Sequence, residues 1–311
     1  MQCRRKEFSL RFLTGLLFAL AVLSVSRVFA ESASLRQDES IKRGQRSVSS
    51  LFFSNFSRPS DPSPTRTWFR GFGNWTSVGG SIGTADAKAY GVSLGVDRQF
   101  GRNILVGVDF GGSWCSAKNN PRDETLDVSA FHGSLYSRVR LQRLYFDLEG
   151  GLGSDKEKRM THDGSTAFQS HFNGEVGTWW EMGLAKFEPY LGIRQVWYDD
   201  HSPRTGNKTA SVLGFRYSWK TVGALAVTMP RVYCGWLHEW NDRDLVSIGT
   251  FTDAPTVYRL NGTTINSDRL FVGGGFTTAL GASLDVYLRY TAEIASNFSS
   301  HTLLLGMNWN F

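Results

Sequence analysis

The chain has 311 residues, 41% of them hydrophobic and 14% aromatic, with 33 Gly and 8 Pro. That is too apolar for a disordered chain, and no run of ~20 apolar residues exists to build a helical multi-span membrane protein. The length allows one large domain or two average ones. The formal charge of +6 would suit a basic partner, until the N-terminus is taken into account.

Residues 1–30 read as a secretory signal peptide. Arg4, Arg5, Lys6 and Arg11 form a basic start, Phe12 to Val25 an apolar run, and Val28-Phe29-Ala30 a cleavage site, with the cut expected after Ala30. The rival reading is a single transmembrane anchor, for which this apolar run is short. Without residues 1–30 the 34 basic and 28 acidic residues fall to 29 and 27, a net charge of +2. The case for nucleic acid binding goes with them. Cys115 and Cys234 remain; an exported protein could pair them, or leave both as free thiols inside strands.

Residues 31–66 form a Ser-, Arg- and Gln-rich linker that ends in Arg58-Pro-Ser-Asp-Pro-Ser-Pro-Thr65. Within it, Ile41 to Phe56 reads either as a short helix carrying Leu51, Phe52, Phe53 and Phe56 or as disordered chain. From residue 67 onward the hydrophobic period becomes two. Tyr90, Val92, Leu94 and Val96 alternate with Gly91, Ser93, Gly95 and Asp97. Ile104, Val106, Val108 and Phe110 alternate with Gly107 and Asp109. Tyr145, Asp147 and Glu149 interleave with Phe146 and Leu148. Glu188 and Arg194 interleave with Phe187, Leu191 and Ile193, and Arg216 falls between Phe215 and Tyr217. Asp285, Arg289 and Glu293 oppose Leu284, Val286, Leu288 and Tyr290. At the end, Leu303, Leu305, Met307, Trp309 and Phe311 share one face, with Leu304 the intruder. Such alternation marks strands with one apolar and one polar face. Counting the segments near Trp68–Trp75, Val128–Leu141 and Phe172–Met182, residues 67–311 hold twelve strands.

A soluble sandwich or jelly roll could bury the apolar faces in a core; a transmembrane barrel would turn them to lipid. Three features favour the barrel. The polar face mixes Gly with charges: Asp109, Asp147, Glu149, Glu188, Arg194, Arg216, Glu239, Asp285, Arg289 and Glu293, with Glu175 and Glu181, suit a lumen. Aromatics collect at strand ends (Trp68, Trp75, Trp114, Trp197, Trp219, Trp240, Trp309), as interfacial girdles require. Tight connections at 140–143 and 183–186 contrast with long polar ones at 154–169, 199–209 and 241–268. Short turns on one side and long loops on the other, with strands of ~9–11 residues, define the bacterial outer-membrane pattern.

The same segments resemble the C-terminal β-domain of autotransporters (type V secretion), over roughly residues 67–311. The resemblance rests on Trp68-Phe-Arg-Gly-Phe-Gly, Tyr90-Gly-Val-Ser-Leu-Gly-Val-Asp97, Pro189-Tyr-Leu-Gly, Trp236-Leu-His-Glu-Trp240, Ser267-Asp-Arg-Leu-Phe-Val-Gly-Gly-Gly-Phe, Leu288-Arg-Tyr-Thr-Ala-Glu293 and Gly306 to Phe311, in that order. It implies a twelve-stranded barrel with a helix through its lumen, located in the outer membrane and acting as a translocator. It also implies that the ending Met307, Trp309 and Phe311 is a signal read by the barrel-assembly machinery. Only residues 31–66 stand where the family carries a passenger, so little or nothing is expected there to translocate. The family's self-cleaving subgroup cuts an Asn-Asn pair in its linker; Asn119-Asn120 lies between strands and does not inherit that chemistry. The alternatives left open are a passive, porin-like channel and an adhesin acting through its long loops.

Enzymatic activity is not expected. Gly79-Gly-Ser81-Ile-Gly83 satisfies G-x-S-x-G but has no helix after it. His162 with Asp163, and Asp199-Asp200-His201, read as loop polarity. The six His and two remaining Cys have no metal-ligand spacing, and His238 and Glu239 point to opposite faces of a strand. No cofactor or metal is expected. The expected partners are outer-membrane lipid and the assembly machinery, with no nucleic acid.

Overall fold

The computed structural model describes residues 65–80, 83–119, 124–159, 166–199, 206–222, 226–241, 245–248, 256–259, 265–280 and 283–311. Residues 1–64, which hold the expected signal peptide and linker, lie outside the described residues, as do Ser81, His162, Asp163, Asp200 and His201.

Twelve strands make the wall. They are β1 Thr65–Gly80, β2 Gly83–Phe100, β3 Ile104–Asn119, β4 Glu124–Leu141, β5 Leu144–Arg159 and β6 Thr166–Thr178. They continue with β7 Ala185–Asp199, β8 Gly206–Trp219, β9 Val227–Glu239, β10 Asp268–Leu280, β11 Leu284–Ala295 and β12 Phe298–Asn310. Short pieces, Trp180–Met182 and Thr221–Val222, extend the pairing with β7 and β9. Each strand pairs antiparallel with its sequence neighbours, and β12 pairs back onto β1 from Arg66↔Asn310 to Val78↔Phe298. The sheet is therefore a closed barrel with no open edge. Among the described residues, the remaining strands are a small hairpin, Leu245–Ile248 with Thr256–Arg259, between β9 and β10.

Alternation along each strand becomes two faces of this wall. Leu94 is 59% exposed and Ser93 beside it 2%; Leu305 is 56% exposed and Leu304 2%. The apolar row faces out, so it is the row that lipid covers. Leu304, out of step in the sequence, packs inside against Phe72 and Tyr287.

The strands are longer than the ~9–11 residues expected, reaching 18 in β2 and β4. They run on past the apolar belt, so the connections shrink. The expected loop 154–169 reduces to 160–165 between β5 and β6. On the other side of the barrel, tight turns join β2 to β3, β4 to β5 and β6 to β7. Gln142 (φ 55°), Gly101 and Gly183 adopt the left-handed backbone that such turns use.

Candidate functional site: the charged inner wall

The inward row carries most of the protein's chemistry. Its charges are held mainly by pairs made across neighbouring strands. Near the short-turn end, Arg66 on β1 donates from Nε to Asp97 Oδ1 on β2 at 3.1 Å. The Tyr136 hydroxyl donates to the same carboxylate at 2.9 Å, and the Trp68 indole N–H donates to the Tyr136 oxygen at 2.8 Å. Trp68 is therefore inside the barrel, 5% exposed; it is not one of the interfacial aromatics the sequence suggested. Its parity with Arg66 and Arg70 places it there, and Gly95 on β2 leaves space for its ring. Trp75, Trp114, Trp197, Trp219, Trp240 and Trp309 are exposed.

A second network spans β4 to β9. Arg138 forms a two-pronged ion pair with Asp147. Arg216 on β8 reaches across to Glu175 on β6, donating from Nη1 at 2.6 Å. It also donates to the Tyr145 oxygen at 2.7 Å, and Tyr145 in turn donates to Glu175 at 2.7 Å. The Arg216 guanidinium lies 3.8 Å from the centre of the Tyr190 ring. Glu188 receives Lys186 at 2.9 Å and Arg231 at 2.6 Å. Nearer the long-loop end, Glu239 pairs with Lys208 at 2.8 Å and with Arg269, whose Nε stands 3.9 Å from Glu293. Buried ions of this kind hold only where each has a partner, because the bare charge would be costly.

Of the residues singled out from the sequence, Asp109, Asp147, Glu149, Glu188, Arg216, Glu239, Asp285 and Arg289 are buried, and Arg194 and Glu293 partly so. Glu149 accepts from Ser134 and Asn173, and His171 stands 3.6 Å away. Glu181 is instead exposed, on the short strand extension. Reading by strand face put Asp97 on the inner face, where it lies, but missed Arg138, Lys186, Lys208, Arg231 and Arg269. Lys186 shares the parity of Glu188, and Arg138 that of His132, which was the signal available. Cys115 is inside and Cys234 on β9 faces the other way; both are free. Met307, Trp309 and Phe311 are exposed on the outer face, Phe311 at 70%.

The inner wall is two-sided. Toward the long-loop end, β12, β1, β2, β3 and β4 turn in small or apolar groups: Phe298, Val78, Ala87, Ala89, Cys115 and Val128, joined by Ile265. At the same end, the strands opposite carry charge instead, Lys208, Glu239, Arg269 and Glu293 on β8 to β11; the Arg66–Asp97 pair stands on β1 and β2 themselves but nearer the short turns. The described parts of the G-x-S-x-G segment belong to β1 and β2. No strand-to-helix elbow can form there, so the segment lacks the geometry of a hydrolase nucleophile.

This geometry of a closed barrel, with charges inside and an apolar belt outside, is that of an outer-membrane β-barrel. The Autotransporter beta-domain family matches residues 67–291, and the chain belongs to that family. Among solved structures, the β-domain of the Bordetella autotransporter BrkA superposes with a TM-score of 0.62 at 16% identity, covering 79% of this chain and 99% of that one. The translocator domain of the autotransporter NalP from Neisseria meningitidis gives 0.57 at 14% identity, over 96% of this chain and 98% of its own. An extracellular serine protease of Serratia marcescens is 20% identical over 276 residues, 78% of this chain. The chain spans about a quarter, 26%, of that relative's length.

Proposed function

We propose that the barrel is a translocator-type pore whose interior accommodates a polypeptide segment. The observation that carries this is the two-sided inner wall. A water-filled channel gains nothing from Val78, Ala87, Ala89 and Val128 on one side, whereas a chain with one apolar and one charged face matches both sides. In this reading Asp109, Asp147, Glu149, Glu188, Arg194, Arg216, Glu239, Asp285, Arg289 and Glu293 line the passage. Residues 1–30 direct export and are removed, residues 31–64 enter the barrel, and the chain from Thr65 onward forms its wall. The ending Met307, Trp309 and Phe311 is the segment that the assembly machinery reads. No catalytic step belongs to this function; the protease name attaches to relatives of which this chain matches 26%.

The test is single-channel conductance in planar bilayers. The exported chain is compared with a variant lacking residues 31–64, both shown to be folded by heat-modifiable mobility. Low conductance that rises on deletion supports the reading. Equal, high conductance in both would mean a passive channel.

A further inference from the structure

The two ends of the barrel differ in charge. Among the described residues, three of the five connections at the short-turn end, β2–β3, β4–β5 and β8–β9, place cations beside exposed apolar side chains, while β6–β7 and β10–β11 present exposed apolar side chains alone or with Glu181. The β2–β3 turn has Arg98, Phe100 and Arg102. The β4–β5 turn has Leu141 and Arg143. The β6–β7 turn shows Trp180, Met182 and Leu184, and the β8–β9 turn Trp219, Lys220 and Val222. Outside the inner wall, the only described acid at this end is Glu181, against Arg98, Arg102, Arg143 and Lys220. At the long-loop end, exposed lysines alternate with acids in register: Lys118 stands opposite Asp86, and Lys158 opposite Asp127.

We propose that this basic, apolar collar is a binding surface for anionic phospholipid headgroups. Leu184 and Val222, both 66% exposed, and Met182, at 55%, sit at or beside turn tips, where water would penalise them and the acyl boundary would not. The long side chains among them bury their stems in that boundary and lift their charge to the phosphate level. The Arg98 guanidinium already lies 5.7 Å from the Phe100 ring centre. Short turns in such barrels face the periplasm, so the leaflet in reach is the phospholipid one. An acidic protein or glycan would explain the charge but not the greasy tips. This inference does not depend on what the barrel translocates.

The full chain, purified from outer membranes into detergent, is offered equimolar phosphatidylglycerol and phosphatidylcholine with the same acyl chains. Retained lipids are counted by native mass spectrometry. Each nearby cation contributes enough for a preference of about fivefold or more for phosphatidylglycerol, weakened by salt. A variant with Arg98→Gln, Arg102→Gln, Arg143→Gln and Lys220→Gln loses that preference. A control with Lys88→Gln, Lys118→Gln, Lys156→Gln and Lys158→Gln removes as much charge from the other end and keeps it. Three results would each overturn the assignment: no preference in the unmodified chain, no loss in the collar variant, or an equal loss in the control. Heat-modifiable mobility of every variant shows that it is folded.

Discussion

At the scale of single residues, the barrel interior is fitted by rings lying over glycines of neighbouring strands. A Cβ on Gly306 would stand 2.3 Å from Tyr287 Cζ, and one on Gly95 2.4 Å from the Trp68 ring. Gly306→Ala is therefore expected to destabilise the refolded barrel by about 1–3 kcal/mol, the usual cost of overpacking. Urea unfolding in vesicles measures it. Combining Gly306→Ala with Tyr287→Ala should cost less than the sum of the two single changes, because the clash is shared. Additive costs would show that the ring does not occupy the slot. The ion pairs make a second prediction. Arg138→Met leaves Asp147, fully buried, without its guanidinium and should cost about 3–5 kcal/mol. Arg138→Met with Asp147→Leu should recover most of that, and a double variant as unstable as the single would refute the pairing. Alternation in the sequence told which face each charge occupies but not its partner. Arg216 meets Glu175 across β7, a choice fixed by the stagger of the sheet and invisible in either strand alone.

At the scale of the strand, period two was legible because lipid and interior demand opposite chemistry from adjacent residues. Length was not. The apolar signal stops at the membrane boundary while hydrogen-bonded pairing continues beyond it, so strands read as ~9–11 residues extend to 18 in β2. Trp68 shows a related limit: an aromatic near a strand end suits a girdle or a glycine slot, and only parity with Arg66 and Arg70 decides. The outward row gives a depth-dependent prediction. Leu94→Arg, in the middle of β2, should cost about 2–4 kcal/mol in zwitterionic vesicles, and Phe100→Arg, at its end, about 0–1. Equal costs would mean that the belt is placed wrongly. The last strand makes another. Phe311 is exposed, and its backbone N–H donates to Thr65 O at 3.0 Å, adding one bond to the seam. Deleting Phe311 should barely change refolding in detergent yet sharply reduce assembly in cells, measured by heat-modifiable mobility of the outer-membrane fraction. Normal assembly without it would remove its role as a signal.

At the scale of the whole molecule, closure organises everything else: it removes the edges, separates the two faces and creates the interior in which the charges pair. Twelve strands were countable from the sequence. The pairing of β1 with β12 was not, since contacts between residues more than 200 positions apart leave no local pattern. The two-sided inner wall was equally hidden, because Ala87, Cys115 and Val128 each read as ordinary strand residues until the sheet curls them together. Export belongs to this scale too, and N-terminal sequencing of the outer-membrane form should begin at Glu31; a chain retaining residues 12–25 would indicate an anchor. The seam carries the account most directly, because an outer-membrane barrel must close. Asn74 and Thr302 face each other across it, with Asn74 Nδ2 donating to Thr302 Oγ1 at 2.8 Å. In a chain with Cys115 and Cys234 replaced by serine, Asn74→Cys with Thr302→Cys should form a disulfide in intact outer membranes. Moving the second cysteine two positions, to Leu304, should abolish the bond. Cross-linking of the shifted pair, or failure of the matched pair in a folded, heat-modifiable chain, would contradict the closed twelve-stranded barrel.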